Sequence, residues 1–129
     1  IGQNPSKDYV FATEERIDLL RTSIPSCERL TITHFDNRYL VDYAKEVGAE
    51  FILRGIRSPG DYEYERVMRH INSDMAPDIN TVFLMPPREM AELSSSMVMG
   101  MVGPEGWGKT VRRYVPSAVF DALASKHSQ

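Results

Sequence analysis

The sequence predicts an α/β fold in which a parallel sheet is flanked by helices. Short apolar, β-branched segments alternate along the chain with longer segments of helical spacing. This alternation is typical of parallel strands joined by helical crossovers. No internal repeat, low-complexity segment or linker interrupts it, so we expect a single domain over residues 1–129.

The first 35 residues are predicted to contain a strand end, a turn, a helix and a strand. We interpret Ile1-Gly2 as the last residues of a strand and the segment 4–7 as a turn. Thr13 is predicted to open a helix that Pro25 ends, because two acidic residues follow Thr13 and suit the positive end of a helix dipole. The apolar stripe of this helix comprises Ile17, Leu20 and Ile24. Alternating β-branched residues then predict a strand over 30–35.

The middle of the chain is predicted to contain two strands, each preceded by a helix. Helical spacing over 39–47 is followed by Gly48 at the position of a C-cap glycine. The apolar segments 51–53 and 81–85 predict buried parallel strands. Between them, Asp61 is expected to cap a long helix. The apolar stripe of that helix comprises Tyr64, Val67, Met68, Ile71 and Met75.

The last third of the chain is predicted to be helical. Three serines at 94–96 precede a short helix, the segment 103–108 forms a turn, and Pro116 begins a closing helix that extends to residue 124. The methionines of the short helix are expected to fill the core.

The composition excludes several classes of protein. A chain of 129 residues buries roughly two-thirds of its unfolded surface as one domain. Its one cysteine, Cys27, cannot form an intrachain disulfide, which favours a reducing compartment such as the cytoplasm. The 15 basic against 18 acidic residues argue against a nucleic-acid partner. No apolar segment approaches the length of a membrane span, so no membrane partner is predicted.

Three loops are predicted at the carboxyl edge of the sheet, where ligands bind in such folds. They are the segments 4–7, 54–57 and 94–96. Arginine offers a planar donor fork to phosphate oxygens, Gly55 would let the backbone approach a ligand, and serines at a helix start offer hydroxyl and N–H groups. Together, these loops predict a polyphosphate site.

Each loop also has a purely structural interpretation. Arg54 and Arg57 could form ion pairs with Asp61, Glu63 or Glu65, and the serines could act only as a helix cap. The polar residues at 61, 65, 69 and 72 share one helix face, which is usually solvated or linked by salt bridges. Glu65 could instead bind a ligand hydroxyl or orient an arginine.

The segment 103–110 matches the P-loop pattern G-x-x-x-x-G-K-[ST]. A P-loop connects a buried strand to a helix and needs a later strand that ends in an acidic residue. The segment before Gly103 begins with capping residues, and the few residues after Thr110 predict a helix. We therefore interpret the match as accidental, and a P-loop nucleotidase is the third candidate function.

The histidines do not predict a metal site. His34, His70 and His127 are far apart in sequence, and none forms a close pair with another histidine or with Cys27. Zinc sites in proteins need such clusters. No metal-ligating residue is therefore predicted.

Taken together, these motifs resemble bacterial phosphopantetheine adenylyltransferase. The matching segments, in order, are Asn4-Pro-Ser-Lys7, Leu40-Val-Asp-Tyr-Ala44, Arg54-Gly-Ile-Arg57, Asp61-Tyr-Glu-Tyr-Glu65, Thr81-Val-Phe-Leu-Met-Pro86 and Leu93-Ser-Ser-Ser96. The resemblance extends from Asn4 to Pro116. It implies a Rossmann-like nucleotidyltransferase fold and transfer of AMP from ATP to 4′-phosphopantetheine, with Mg²⁺, to give dephospho-coenzyme A and pyrophosphate.

The resemblance also implies site residues and partners. The phosphopantetheine-binding positions are Lys7, Leu40 and Arg54. The ATP-binding positions are Gly55, Ile56, Arg57, Glu65, Met90, Ala91, Glu92, Leu93, Ser94, Ser95 and Ser96. Lys7, Arg54 and Arg57 are the catalytic candidates, dephospho-coenzyme A or coenzyme A is an expected ligand, and a homo-oligomer, a hexamer in the family, is expected.

One part of the family pattern has no counterpart in this sequence. The family begins with a strand, a Gly-Ser-Phe-Asp-Pro-like loop and a helix with an H-x-G-H-like pair, whereas this chain begins at Ile1. We therefore expect an N-terminally truncated domain. The alternative function is a non-catalytic remnant or subunit that binds a nucleotide or coenzyme A.

Overall fold

The computed structural model describes residues 1–3 and 7–128, so most of the turn predicted over 4–7 lies outside the described residues. The strands are β1 (Phe51–Gly55) and β2 (Asn80–Leu84). The α-helices are α1 (Thr13–Ser23), α2 (Leu40–Glu46), α3 (Pro59–Met75), α4 (Ser95–Met101), α5 (Trp107–Val111) and α6 (Ser117–His127), and a single 3₁₀ turn spans Arg88–Met90. The chain divides into two compact units, Asn37–Leu93 and Ile1–Asp36 with Ser94–Gln129. No described helix has the length and apolar character needed to cross a membrane.

The unit Asn37–Leu93 is built on a parallel pair of strands. β1 and β2 pair with Phe51 opposite Asn80 and Gly55 opposite Leu84. Parallel neighbours need a long crossover, and α3 supplies it. The hydrophobic core of this unit comprises Val41, Ala44, Ile52, Ala76 and Ile79. The predicted α/β fold with a parallel sheet is therefore confirmed.

The strands of this unit are covered on one side only. Ile52 is buried, whereas the side chains of Phe51 and Leu53 are 60% and 63% exposed. Successive side chains of a strand point to opposite faces of the sheet, so the core of this unit packs against the face that carries Ile52. The prediction that both strands are buried is therefore wrong for their alternate side chains, since Val82 and Leu84 of β2 are exposed as well.

Helix α2 ends as its sequence predicts. Tyr39 is the N-cap residue and Val47 the C-cap residue, and Gly48 has a φ of +67°. A side chain is strained in this left-handed region, which is why glycine is favoured after a helix.

Helix α3 differs from its prediction in two ways. Its N-cap is Ser58, whose hydroxyl accepts a 3.1 Å hydrogen bond from the amide of Asp61, and Pro59 occupies the first turn. Its predicted apolar stripe is largely exposed at Tyr64, Val67 and Ile71, and the buried residue of α3 is Glu65. Periodicity identifies a stripe, but it cannot tell which stripe faces the rest of the unit.

The predicted strand over 30–35 is also wrong for most of its length. In the described chain this segment forms one isolated parallel bridge, between Gly2 and Phe35. The amide of Phe35 donates a 3.1 Å hydrogen bond to the carbonyl of Ile1, as expected if Ile1-Gly2 has strand geometry. A strand needs a hydrogen-bonded neighbour along its length, and the described residues supply one only at Ile1, which accepts from Phe35 and donates to the carbonyl of Thr33.

In the second unit, helices α1 and α5 pack against α6, and α4 packs against α5. Helix α1 begins at Thr13 and ends before Pro25, as predicted, and of its apolar stripe Ile17 is buried. It packs against α6, where Lys126 and Glu15 form an ion pair at 2.9 Å. Phe120 and Leu123 are the buried residues of α6.

Candidate functional site

The carboxyl end of β1 carries the two arginines that the sequence singles out. Arg54 and Gly55 are the last residues of the strand rather than part of the loop that follows it. The amide of Ile56 still donates a 2.9 Å hydrogen bond to the carbonyl of Leu84. Because the parallel pairing continues this far, the backbone from Arg54 to Ile56 is held by β2.

Arg54 forms a two-point ion pair with Glu65. Its Nε donates to Oε2 of Glu65 at 2.8 Å, and its Nη2 donates to Oε1 at 2.5 Å. Glu65 is buried, whereas the Arg54 side chain is 40% exposed. The hydrogen bond to Glu65 raises the pKa of Arg54 above its ordinary value. Arg54 therefore stays charged, in agreement with the structural interpretation of this residue.

Arg57 is held at three points. Its backbone amide and its Nε donate to Oδ2 of Asp61 at 3.0 and 3.1 Å, and its Nη1 donates to the carbonyl of Leu93 at 2.8 Å. The hydrogen bonds from the amide and then the side chain of Arg57 lower the pKa of Asp61. Asp61, predicted as a helix cap, instead positions this arginine.

Both arginines keep donors for a ligand. A guanidinium carries five N–H donors, and the bonds above use two of them in each arginine. Among the described residues, nothing accepts a hydrogen bond from Nη1 of Arg54 or from Nη2 of Arg57. A Cβ added at Gly55, between the two, would meet no atom within 4 Å. Two cations with open donors beside an uncrowded glycine form an arrangement suited to phosphate.

The segment before Ser94 contacts Arg57 through Leu93. Met90 closes the 3₁₀ turn and is 52% exposed, and the carbonyl of Leu93 receives Arg57. Of the predicted positions 90–93, the structure brings Leu93 to Arg57 through a main-chain contact. Sequence reasoning placed Leu93 in the site but did not identify its carbonyl as the contact.

The three serines belong to the other compact unit. Ser94 is the N-cap of α4, and its hydroxyl accepts a 3.1 Å hydrogen bond from the amide of Met97. Ser95 and Ser96 are exposed. The capping interpretation is thus confirmed for Ser94, and ATP binding by these serines stays a prediction.

The two remaining predicted positions lie apart from these contacts. Leu40 begins α2 and packs partly buried against the core cluster of its unit. Lys7 is exposed in the other unit. Their binding of phosphopantetheine stays a prediction, as does the ATP binding of Glu65.

The P-loop pattern has a packing explanation. A helix, α4, precedes Gly103, and Lys109 and Thr110 lie within the short helix α5, so the strand that a P-loop requires is not there. Gly103 has a φ of +126°. A Cβ added at Gly108 would lie 3.2 Å from Cζ of Phe120. Gly103 thus adopts a backbone conformation that favours glycine, and Gly108 lies in tight contact with Phe120, so both glycines of the pattern have a packing explanation.

The histidines take part in local contacts. Nε2 of His34 lies 3.8 Å from a carboxylate oxygen of Asp36, and the ring of His127 meets that of Trp107 edge-on at 5.6 Å. Within residues 1–3 and 7–128, no three His, Cys, Asp or Glu side chains gather as a metal site would require.

The start of α3 was the main feature that sequence reasoning missed. Ser58 caps the helix, which leaves Asp61 free to bind Arg57. The signal was present, since Ser-Pro followed by an acidic residue is a typical helix start.

The chain is similar to curated enzymes along nearly its whole length. It is 57% identical over 127 residues to the phosphopantetheine adenylyltransferase of Neisseria meningitidis serogroup C (strain 053442), covering 98% of this chain and 75% of that protein. It is 50% identical over 129 residues to the phosphopantetheine adenylyltransferase of Chromobacterium violaceum, covering 100% of this chain and 79% of that protein. The enzyme of that name from Alkaliphilus metalliredigens is 36% identical over 126 residues.

No protein-family model matches the chain. The identities and coverages are nevertheless far above what a shared fold alone produces, and they agree with the order of motifs around Arg54 and Arg57. The chain therefore belongs to the phosphopantetheine adenylyltransferase family, whose nucleotidyltransferase reaction produces dephospho-coenzyme A in coenzyme A biosynthesis.

Proposed function

We propose that this chain transfers AMP from ATP to 4′-phosphopantetheine by using the arginine pair at the end of β1 to bind the reacting phosphates. The observation that carries the proposal is that Arg54 and Arg57 are each held by a carboxylate of α3 and each keep donors free. Held cations with open donors are suited to anionic substrates, because little side-chain freedom is lost when they bind.

We assign the two substrates, phosphopantetheine and ATP, to neighbouring groups of residues. Arg54, with Lys7 and Leu40, binds the phosphate and arm of phosphopantetheine. Arg57, with Gly55 and Ile56, binds the phosphates of ATP. The further ATP-binding positions, carried over from the resemblance, are residues 90–96. The resemblance also implies ATP binding by Glu65, but both oxygens of this carboxylate accept hydrogen bonds from Arg54. The contact between Arg57 and the carbonyl of Leu93 supports grouping residues 90–93 with the ATP phosphates.

The chemistry needs no covalent enzyme intermediate. An oxygen of the phosphopantetheine phosphate attacks the α-phosphorus of ATP in line, a new P–O bond forms, and the bond to the β-phosphate oxygen breaks. Pyrophosphate leaves with that electron pair. Arg54 and Arg57 would hold the attacking and leaving groups in line and would offset the charge that develops on their oxygens.

Magnesium enters this proposal only as the companion of ATP. Mg²⁺ in nucleotide sites keeps several waters and binds phosphate oxygens with one or two carboxylates. The two carboxylates at the end of β1, Asp61 and Glu65, both accept hydrogen bonds from arginines, and the described residues contain no metal-binding cluster. These residues do not form a magnesium site, so none is assigned as a ligand.

The setting of the reaction is also part of the proposal. We expect a cytoplasmic, single-domain enzyme that assembles as a homo-oligomer, a hexamer as in the family it resembles. Sedimentation equilibrium of the purified protein would measure the assembly directly, and a monomer at micromolar concentration would contradict this part.

The test of the function is a pyrophosphate-release assay with ATP, Mg²⁺ and 4′-phosphopantetheine. We expect release that depends on 4′-phosphopantetheine and that falls by at least tenfold in Arg54→Ala. Arg66→Ala is the matched control, because Arg66 lies on α3 and pairs with the exposed Glu63 instead. Binding of ATP or coenzyme A without any pyrophosphate release would favour the non-catalytic alternative.

A further inference from the structure

Glu65 stands out because it is a buried charge. Within residues 1–3 and 7–128, it is the charged side chain that the fold buries, and it lies on α3, whose apolar residues Tyr64 and Val67 are exposed. Burying a carboxylate is costly unless it is paired and hydrogen-bonded. The buried face of α3 therefore carries a charged residue, although apolar residues are available on the same helix. The partner of that charge is Arg54.

The geometry of the pair determines which side of Arg54 remains available. A guanidinium has a side edge, formed by Nε and Nη2, and an end edge, formed by Nη1 and Nη2. Glu65 takes the side edge with both of its oxygens, at 2.8 and 2.5 Å. The end edge keeps both hydrogens of Nη1 and one of Nη2. Two parallel N–H donors remain, which is the arrangement that binds a phosphate through two oxygens.

The exposure of Glu65 and Arg54 agrees with this assignment of the two guanidinium edges. The Glu65 side chain is 10% exposed, whereas that of Arg54 is 40% exposed. The carboxylate is therefore largely shielded from a ligand, and the guanidinium is not. Arg57 differs, because its Nε and Nη1 are both used and its end edge is interrupted by the carbonyl of Leu93. Of the two arginines, Arg54 is the one that keeps a complete bidentate edge.

We propose that Glu65 is a positioning residue that orients the guanidinium of Arg54, so that its end edge binds the terminal phosphate of 4′-phosphopantetheine. This inference rests on the proposed function. It differs from the ATP-binding role that the resemblance implies for Glu65, because the positioning role makes phosphopantetheine affinity depend on Glu65 and leaves ATP affinity nearly independent of it.

The experiment compares two glutamates of one helix by isothermal titration calorimetry with 4′-phosphopantetheine and, separately, with ATP. Glu65→Gln keeps the size of the side chain but replaces one acceptor oxygen with a donor that faces an Arg54 N–H. We expect the Kd for 4′-phosphopantetheine to rise at least tenfold and the Kd for ATP to change less than threefold. Glu63→Gln removes the exposed pair with Arg66 and should change neither value.

A double-mutant cycle tests whether Glu65 acts through Arg54. Arg54→Ala should weaken 4′-phosphopantetheine binding, and adding Glu65→Gln to it should cause no further loss, because the group that Glu65 orients is already gone. Additive losses would overturn the inference, as would a Glu65→Gln variant that binds 4′-phosphopantetheine like the wild type. A loss of ATP affinity alone would return Glu65 to the ATP site.

Two further measurements distinguish a failure of the positioning role from a failure of folding or of the proposed function. If Glu65→Gln fails to fold, judged by circular dichroism, Glu65→Asp keeps the charge but shortens the reach to Arg54, and we expect the same selective loss. If the wild-type protein itself binds no 4′-phosphopantetheine, the proposed function fails. If the wild type binds and the Glu65 variants bind equally well, only the positioning role fails.

Discussion

Arg57 donates a 2.8 Å hydrogen bond from Nη1 to the main-chain carbonyl of Leu93, which lies 36 residues later in the chain. The contact joins the end of β1 to the segment that follows the 3₁₀ turn. A main-chain carbonyl is present whatever the side chain at that position, so this contact depends on the path of the backbone. Arg57 is therefore held by the carbonyl of Leu93 as well as by the carboxylate of Asp61.

The first prediction concerns the role of Arg57 in ATP binding. Arg57→Ala should weaken ATP binding at least tenfold, measured by calorimetry, while the far-UV circular dichroism spectrum is retained. The reason is that a charge-assisted donor to the phosphates is lost. Arg66→Ala, the matched control on α3, should leave ATP affinity within twofold of wild type. Wild-type affinity combined with a lower melting temperature would show that Arg57 is only a structural ion-pair partner.

The second prediction separates capping from binding among the serines. Ser94→Ala should destabilise the protein by about 1 kcal/mol, because the hydroxyl that accepts from the amide of Met97 is removed. Ser96→Ala, at an exposed position inside α4, should leave stability nearly unchanged and lower ATP affinity. Urea denaturation and ATP titration of both variants provide the measurements. Equal stability losses would contradict the assigned cap.

The third prediction tests the interpretation of the P-loop pattern. Lys109→Ala should leave nucleotide affinity within twofold of wild type, because Lys109 lies in a short helix preceded by α4 rather than by a strand. The measurement is ATP titration by calorimetry, with Arg57→Ala as the variant that does respond. A tenfold loss in Lys109→Ala would restore the P-loop as a candidate site.

The fourth prediction compares two helical glycines. Gly108→Ala places a Cβ 3.2 Å from Cζ of Phe120. The ring of Phe120 is buried, packs at a tilt against Trp107 and is covered by the Arg112 guanidinium. We expect a destabilisation of about 1 kcal/mol from this overpacking. Gly100→Ala meets no atom within 4 Å and should stabilise α4 by up to about 1 kcal/mol. Thermal unfolding of both variants should give shifts of opposite sign, and equal shifts would refute the packing argument.

The fifth prediction concerns pH. Hydrogen bonds from Lys126 and then from the amide of Ala12 lower the pKa of Glu15. A carboxyl whose pKa is lower in the folded state contributes stability above its unfolded pKa, about 4.3 for glutamate, and loses it as the pH falls through the folded value. Glu15→Gln should therefore be less stable than wild type at pH 7. The difference should shrink as the pH falls below about 4.3 and vanish below the lowered pKa of the folded state.

Denaturation at pH 7 and at pH 3 measures this difference. The control is Glu14→Gln, which changes the neighbouring residue in the same helical turn but leaves the ion pair with Lys126 in place. A Glu15→Gln difference that grows as the pH falls would contradict the sign of the shift.

The sequence was sufficient for the features that depend on local chemistry. The β1–α3–β2 order, the short helix after Ser94 and the turn at Gly48 were all predicted, because turn residues, capping residues and apolar runs act within a few positions of the chain. Both arginines at the end of β1 were also identified, since a charged residue directly after an apolar strand is visible in one sequence. The family resemblance rests on the same local motifs.

Only the tertiary structure decided which groups these residues contact. Periodicity predicted that α3 buries Tyr64, Val67 and Ile71, yet the fold buries Glu65, because the partner of that face is Arg54 on β1. The segment 30–35 has the alternation of a strand but pairs at a single described position. Local pattern determines what a segment can form, whereas burial and hydrogen bonding depend on a second segment far away in the chain, and the pattern of one segment carries no information about that partner.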